Sequence, residues 1–233
     1  MLKFSYIQNK DIKMKLIKMS LATALVVSLA FSADAKSDLG VSANMSIASN
    51  YIWRGMTQSD NSPAIQGGFD LEYKGLYAGV WGSNIEFGDD SRASAEFDIY
   101  GGYTNELYGI SYDIGAIQYA YPNESKELNF AEAYFGLSKD FEIVEVGAKY
   151  YYGIKTDRFD APNAWEATLS VPLPMDMSLD ALYGDYNDIG NYYSVGVTKS
   201  IDKFEIALCY AGIEADADNS DQDNIVVRVG VSF

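Results

Sequence analysis

The chain has 233 residues, with 33 acidic against 17 basic side chains, one cysteine and no histidine. A formal charge of −16 lacks the basic footprint that phosphate recognition needs, so nucleic acid is not expected as a partner. Without histidine, Ser-His and Cys-His hydrolysis and His-ligated zinc are closed to it, and a single thiol forms no internal disulfide.

In chain order, residues 1–35 come first and differ from the rest. Lys10, Lys13, Lys15 and Lys18 precede a mostly apolar run from Met19 to Phe31, and Ala33-Asp34-Ala35 fits the small-x-small cleavage rule. We read 1–35 as a secretory signal peptide, with Met14 as an alternative start. The competing reading is a single transmembrane anchor, but the apolar run is short of the ~20 residues a spanning helix needs. Setting aside the five lysines and two aspartates of this leader leaves 12 basic and 31 acidic side chains in the remaining 198 residues.

From Gly40 onward apolar residues recur at every second position, in segments of about ten, which is the period of a strand. Val41/Ala43/Met45/Ile47 is followed by Ile65/Gly67/Phe69/Leu71/Tyr73, by Leu76–Phe87 (whose two faces are both mixed) and by Ala95/Phe97/Ile99/Gly101/Tyr103. Tyr108/Ile110/Tyr112/Ile114, Ala131/Ala133/Phe135/Leu137, Val144/Val146/Ala148/Tyr150 and Trp165/Ala167/Leu169/Val171 continue the pattern. Leu179/Ala181/Tyr183, Tyr193/Val195/Val197, Phe204/Ile206/Leu208/Tyr210 and Ile225/Val227/Val229/Val231/Phe233 complete it. These are twelve strands, an even number, as single-chain outer-membrane barrels have.

The connections between them fall at 51–63, 74–75, 88–92, 105–106, 120–128, 138–140, 153–163, 172–176, 187–191, 201–203 and 214–223. Long and short ones alternate, as expected of outer loops and periplasmic turns. The expected fold is therefore an all-β, antiparallel, up-and-down transmembrane barrel over 36–233 with both termini periplasmic. A soluble barrel with its apolar face inward is the alternative. Carboxylates alternating with that face suit water inside better than outside.

Residues 49–84 then carry a recognisable block. Ser49-Asn50-Tyr51-Ile52-Trp53-Arg54-Gly55-Met56-Thr57-Gln58-Ser59 is followed by Pro63-Ala64-Ile65-Gln66-Gly67-Gly68-Phe69-Asp70 and by Gly79-Val80-Trp81-Gly82-Ser83-Asn84. The block resembles the proteobacterial TorF-type porins, a family of conserved hypothetical proteins, and the likeness continues more thinly through Glu96-x-Asp98-x-Tyr100 and the last strand. The resemblance implies a Gram-negative outer-membrane barrel with a porin-like transport role. It supplies no substrate.

Placing the polar face of each strand inward gives a wall of Asp70, Glu72, Glu96, Asp98, Asp113, Glu132, Glu145, Glu166, Asp180 and Glu205 against Lys149 and Arg228. Rings of carboxylates favour cations, so the expected function is passive passage of small solutes with a cation preference. Tyr51 and Trp53 are expected at the membrane interface, where amphipathic rings settle. The 51–63 segment, with Gln58 and the facing Gln66 on the next strand, is expected either to fold into the pore with Arg54 on wall carboxylates or to cap the rim. Acids paired with Arg54, Lys149 and Arg228 would instead build an internal plug. A non-conducting surface barrel and a gated, substrate-specific transporter are the rival functions. An enzyme is not expected, although Glu96 and Asp98 share a face as an acid–base pair would.

No cofactor motif is present. Asp216, Asp218 and Ser220 have Ca²⁺-loop spacing, but Asp221 and Val227 stand where such a loop needs Gly and Glu, so no metal is expected. Cys209 reads as an inward space-filler. The expected partners are outer-membrane lipid, lipopolysaccharide, small solutes and the barrel-assembly machinery, which would read the strand ending in Phe233.

Overall fold

The computed structural model describes residues 39–88, 91–124, 128–155, 161–217 and 220–233; the leader at 1–35 lies outside them. The strands are β1 (Leu39–Ala48), β2 (Ile52–Trp53), β3 (Met56–Thr57), β4 (Ala64–Tyr73), β5 (Leu76–Asn84), β6 (Ala95–Leu107) and β7 (Ile110–Ala120). They continue with β8 (Phe130–Asp140), β9 (Glu145–Ile154), β10 (Ala164–Leu173), β11 (Met177–Tyr186), β12 (Gly190–Ile201), β13 (Phe204–Ala215) and β14 (Gln222–Ser232). All but β2 and β3 form one closed antiparallel barrel of twelve strands, each paired with its neighbours in sequence, and β1 meets β14 to close it. Phe233 extends the seam: its N–H donates to the Ala43 carbonyl at 2.9 Å and its carbonyl accepts from the Ala43 N–H at 3.2 Å.

The apolar half of the alternation points outward. Val41, Ile47, Ile65, Ile99, Leu208 and Ile225 are among many large aliphatic side chains left exposed on the outer surface, while Ser42, Asp70, Glu96, Glu132, Glu166 and Asp180 are buried within. A water-soluble barrel would have the opposite distribution, and a closed ladder leaves no unpaired edge to hydrocarbon. No helix among the described residues is long and apolar enough to cross a membrane. The crossing belongs to strands.

The tyrosine and glycine content has a geometric reason. Across paired strands, Tyr100 stands opposite Gly79, Tyr77 opposite Gly102, Tyr134 opposite Gly115 and Tyr192 opposite Gly184. A Cβ on any of these four glycines would come within 2.6 Å of the facing tyrosine, so each ring lies flat on the wall where its partner has no side chain. Inward tyrosines thereby fill the barrel without splaying its strands. The same packing orients β5, whose mixed faces left it ambiguous: Leu76, Ala78 and Val80 are exposed outside, and Trp81 and Ser83 are buried inside.

One end of the barrel carries the tight turns. Lys74-Gly75 and Tyr108-Gly109 both have positive φ at each residue, the two-residue hairpin geometry that matches strand twist. The turn expected at 105–106 is thus three residues later, because β6 runs on to Leu107 and the left-handed pair goes to the Gly-containing dipeptide. The other end carries the longer connections. There the β11–β12 link is tighter than expected, since Gly190 and Asn191 already belong to β12 and pair with Tyr186 and Asp185.

Candidate functional site

The first long connection turns into the barrel. Its centre is a small hairpin in which Ile52 pairs with Thr57 and Trp53 with Met56, with Arg54 (φ 45°) and Gly55 (φ 78°) at the tip. Polar side chains set its base. Asn50 donates to Asn61 at 3.0 Å and to Asn224 at 3.1 Å, and its Oδ1 accepts from Thr57 at 2.8 Å and Ser59 at 3.0 Å. Backbone bonds from Gln58 N–H to the Tyr51 carbonyl (2.7 Å) and from Glu86 N–H to the Gln58 carbonyl (2.8 Å) tie it to the next long connection. The buried Gln58 amide bends back onto the carbonyls of Met56 and Thr57, at 3.2 and 3.3 Å.

The tip spans the lumen. On one side Arg54 makes a two-pronged contact with Glu132 of β8, Nη1 to Oε1 at 2.7 Å and Nη2 to Oε2 at 2.8 Å. Arg54 is 2% exposed and Glu132 0%. The guanidinium also lies 4.5 Å from the Trp53 ring centre, 4.8 Å from that of Tyr151 and 4.6 Å from that of Tyr186, a stack suited to a planar, weakly hydrated cation. On the opposite side Gly55 abuts β13, where any Cβ would overlap the carbonyl oxygen of Gly212. Glycine is required there twice over, by the positive φ and by the close approach.

Of the two expectations for this segment, the inward fold is the one adopted. Tyr51 and Trp53 are accordingly inside the barrel and not at the lipid interface. Tyr51 is 2% exposed, with its hydroxyl donating to Glu96 at 2.8 Å, and Trp53 packs edge-on to Tyr119 and Tyr186 with ring centres at 5.7 and 5.5 Å. An interior already lined with rings offers them a closer-packed and equally amphipathic site. Sequence reasoning missed Tyr119, Tyr151, Tyr186 and Tyr192, which the hairpin needs as a socket. Their signal is inward tyrosines clustered at the ends of strands beside the long connections.

The carboxylates of the expected wall all belong to the inward faces of their strands, in two groups. Toward the loop end, Glu96, Asp98, Glu132 and Glu166 are each at most 4% exposed. Glu166 accepts from Tyr192 at 3.0 Å and Tyr151 at 3.2 Å, and one Asp98 oxygen has no hydrogen-bond partner among the described residues. These four are dry, contrary to the water-filled interior that their alternation suggested, because the hairpin and its tyrosines occupy that space. Toward the turn end, Asp70 accepts from Tyr100 at 2.5 Å and Asp180 from Ser170 and Ser178 at 2.6 and 2.8 Å. Asp113 takes the Lys149 ammonium at 2.8 Å, Arg228 faces Glu205 at 3.7 Å, and Glu72 and Glu145 are half-buried. Gln66 accepts weakly from Ser46 at 3.4 Å.

Outside the lumen, Arg92 donates through Nε to Glu124 at 3.0 Å and links two of the long connections; this contact holds the Glu124 carboxyl below its usual range. Of the Ca²⁺-like positions, Asp218 lies outside the described residues, and Asp221 accepts from the Ala215 N–H at 2.9 Å. Among the described residues no three His, Cys, Asp or Glu side chains converge as a metal site.

The family model described as "bacterial protein of unknown function" (Gcw_chp) matches residues 32–231. No curated protein matches the chain. Solved structures with the same fold include the KdgM porin (10% identical, TM-score 0.58, 82% of this chain and 98% of that one). The NanC porin is similar too (12%, TM-score 0.54, 83% and 99%), as is outer membrane phospholipase A from Escherichia coli (14%, TM-score 0.52, 82% and 89%).

Proposed function

We propose that this chain, which belongs to that bacterial family of unknown function, forms an outer-membrane channel for small solutes that prefers cations and rests with its loop end closed by the Arg54 hairpin. The observation that supports it best is a closed barrel whose inward face carries ten carboxylates against Lys149, Arg228 and the hairpin's own Arg54. Arg54, Lys149 and Arg228 each stand near one carboxylate, at 2.7, 2.8 and 3.7 Å, so among the described residues the acids of the wall outnumber the cations paired with them. Such a wall repels anions over roughly a Debye length, about 8–10 Å at moderate salt, which exceeds the radius of a narrow lumen. Twelve strands lie between filled eight-stranded barrels and open sixteen-stranded porins, so one hairpin is enough to obstruct the bore.

The TorF-type resemblance and the porin neighbours agree with a transport role. A phospholipase shares the fold, but with no histidine in the chain the acid–base pair Glu96 and Asp98 would have to carry any hydrolysis, and both are buried, Glu96 beneath the Tyr51 hydroxyl. A second reading is a barrel that opens for one solute only. The buried Arg54–Glu132 contact favours it, since a general pore has no need of a latch. The complex of KdgM with oligogalacturonate is an instance of a porin with a defined ligand.

The test is the reversal potential of the refolded protein in a planar bilayer under a potassium chloride gradient. A cation-selective potential that moves toward the anion side in Asp70→Lys/Glu72→Lys is the expected result. Conduction with no shift in that variant would remove these residues from the pathway.

A further inference from the structure

We propose that the recess between the hairpin and the wall of β12–β14 binds a short-chain monocarboxylate, with Arg228 as its anchor. The recess has a volume of about 100 Å³ and is bounded by Asn50, Tyr51, Ile52 and Gly55 on the hairpin side and by Tyr192, Ser194, Ala207 and Arg228 on the wall. Its charge is the reverse of the lumen around it. Arg54 and Arg228 both border it, and among the described residues no aspartate or glutamate does.

The two arginines differ in what they have left to give. Both terminal nitrogens of Arg54 are committed to Glu132, which leaves it no free fork and only a buried Nε without a hydrogen-bond partner among the described residues. Arg228 Nη2 is buried and stands 3.7 Å from Glu205, beyond hydrogen-bond range, so among the described residues it has an ion-pair neighbour but no hydrogen-bond acceptor. A buried, unused N–H on a cation is unfavourable, and a planar carboxylate is the group that fits a guanidinium fork. Size and lining set the rest of the ligand. A dry cavity of about 150 Å³ admits benzene, so one of this volume admits about four or five heavy atoms. Ala48, Ala207, Ala211 and Val226 offer them an apolar wall, unsuited to a second charge. Acetate and propionate have this composition: one carboxylate and a short apolar tail. Because hairpin residues form one side of the recess, a bound carboxylate also stabilises the closed barrel.

The experiment is titration of the refolded full barrel in detergent with propionate, followed calorimetrically. Heat-modifiable gel mobility confirms that each variant is folded. Saturable binding is expected. It should weaken at least about tenfold in Arg228→Gln, the loss of a charge-assisted contact, and disappear in Ala207→Leu, which fills the recess without changing charge. Undiminished binding in folded Arg228→Gln, no saturable binding in the parent protein, or equal competition by chloride would each overturn the site. The readout is binding and not current, so a barrel that conducts nothing leaves the result as informative as one that conducts.

Discussion

The two ends of the barrel interior differ in how completely they bury their inward carboxylates. At the loop end Glu132 is wholly buried under Arg54, and Glu96 and Glu166 are buried under the hydroxyls of Tyr51, Tyr151 and Tyr192. At the turn end Asp70 and Asp180 are buried against Tyr100 and two serines, but the Asp113–Lys149 pair keeps about a quarter of each side chain exposed and Glu205 keeps 36%. Both ends are lined by strands of one pattern; what differs is a hairpin of a few residues entering from one side. The hairpin therefore accounts for the burial of the loop-end acids, while at the turn end burial is set acid by acid by neighbours on the wall.

The largest effect should come from breaking the latch on one side. Arg54→Ala leaves Glu132 buried without a counter-charge, a loss of about 3–5 kcal/mol in comparable buried pairs, and should release the hairpin. Arg54→Met with Glu132→Leu should restore most of that, since a buried ion pair and an apolar pair of similar volume are often nearly equal. Thermal melts of both variants check this, and equal losses in the two would mean that the ion pair is not what docks the hairpin.

Gly55→Val attacks the same docking without touching charge. It places a Cβ on the Gly212 carbonyl at a positive φ, and should raise hairpin exposure, read as acrylamide quenching of Trp53 in a protein with Trp81 and Trp165 replaced by Phe. Gly102→Val should act on the wall instead. Its side chain meets Tyr77, and overpacking of this kind costs about 1–3 kcal/mol, visible as a lower temperature for loss of heat-modifiable mobility.

The smallest effect belongs to Arg92→Ala. Its pair with Glu124 is solvent-exposed, so the melt should be unchanged, while the Glu124 carboxyl, no longer held down by the guanidinium, should titrate closer to its usual range by NMR.

Most of the barrel was legible because lipid on one side and polar groups on the other impose a period of two, and that period counts twelve strands. It failed at β5, where Tyr77 and Trp81 face inward and make the inner face as apolar as the outer one. The interior has its own aromatic core, which alternation cannot report. The direction of the hairpin was open for a different reason: Arg54 and Glu132 are 78 residues apart, and nothing local specifies their meeting. A local clue was nevertheless present. Arg54-Gly55 between Ile52-Trp53 and Met56-Thr57 is a two-residue turn between strand-forming residues, a hairpin signal inside what alternation marks as loop.

The most direct test of the closed loop end compares single-channel conductance of the refolded protein with that of Arg54→Ala in the same bilayer. The account predicts rare, small openings in the parent protein and sustained, larger, cation-selective steps in the variant. Large steady currents in the parent protein, unchanged on replacing Arg54, would contradict it.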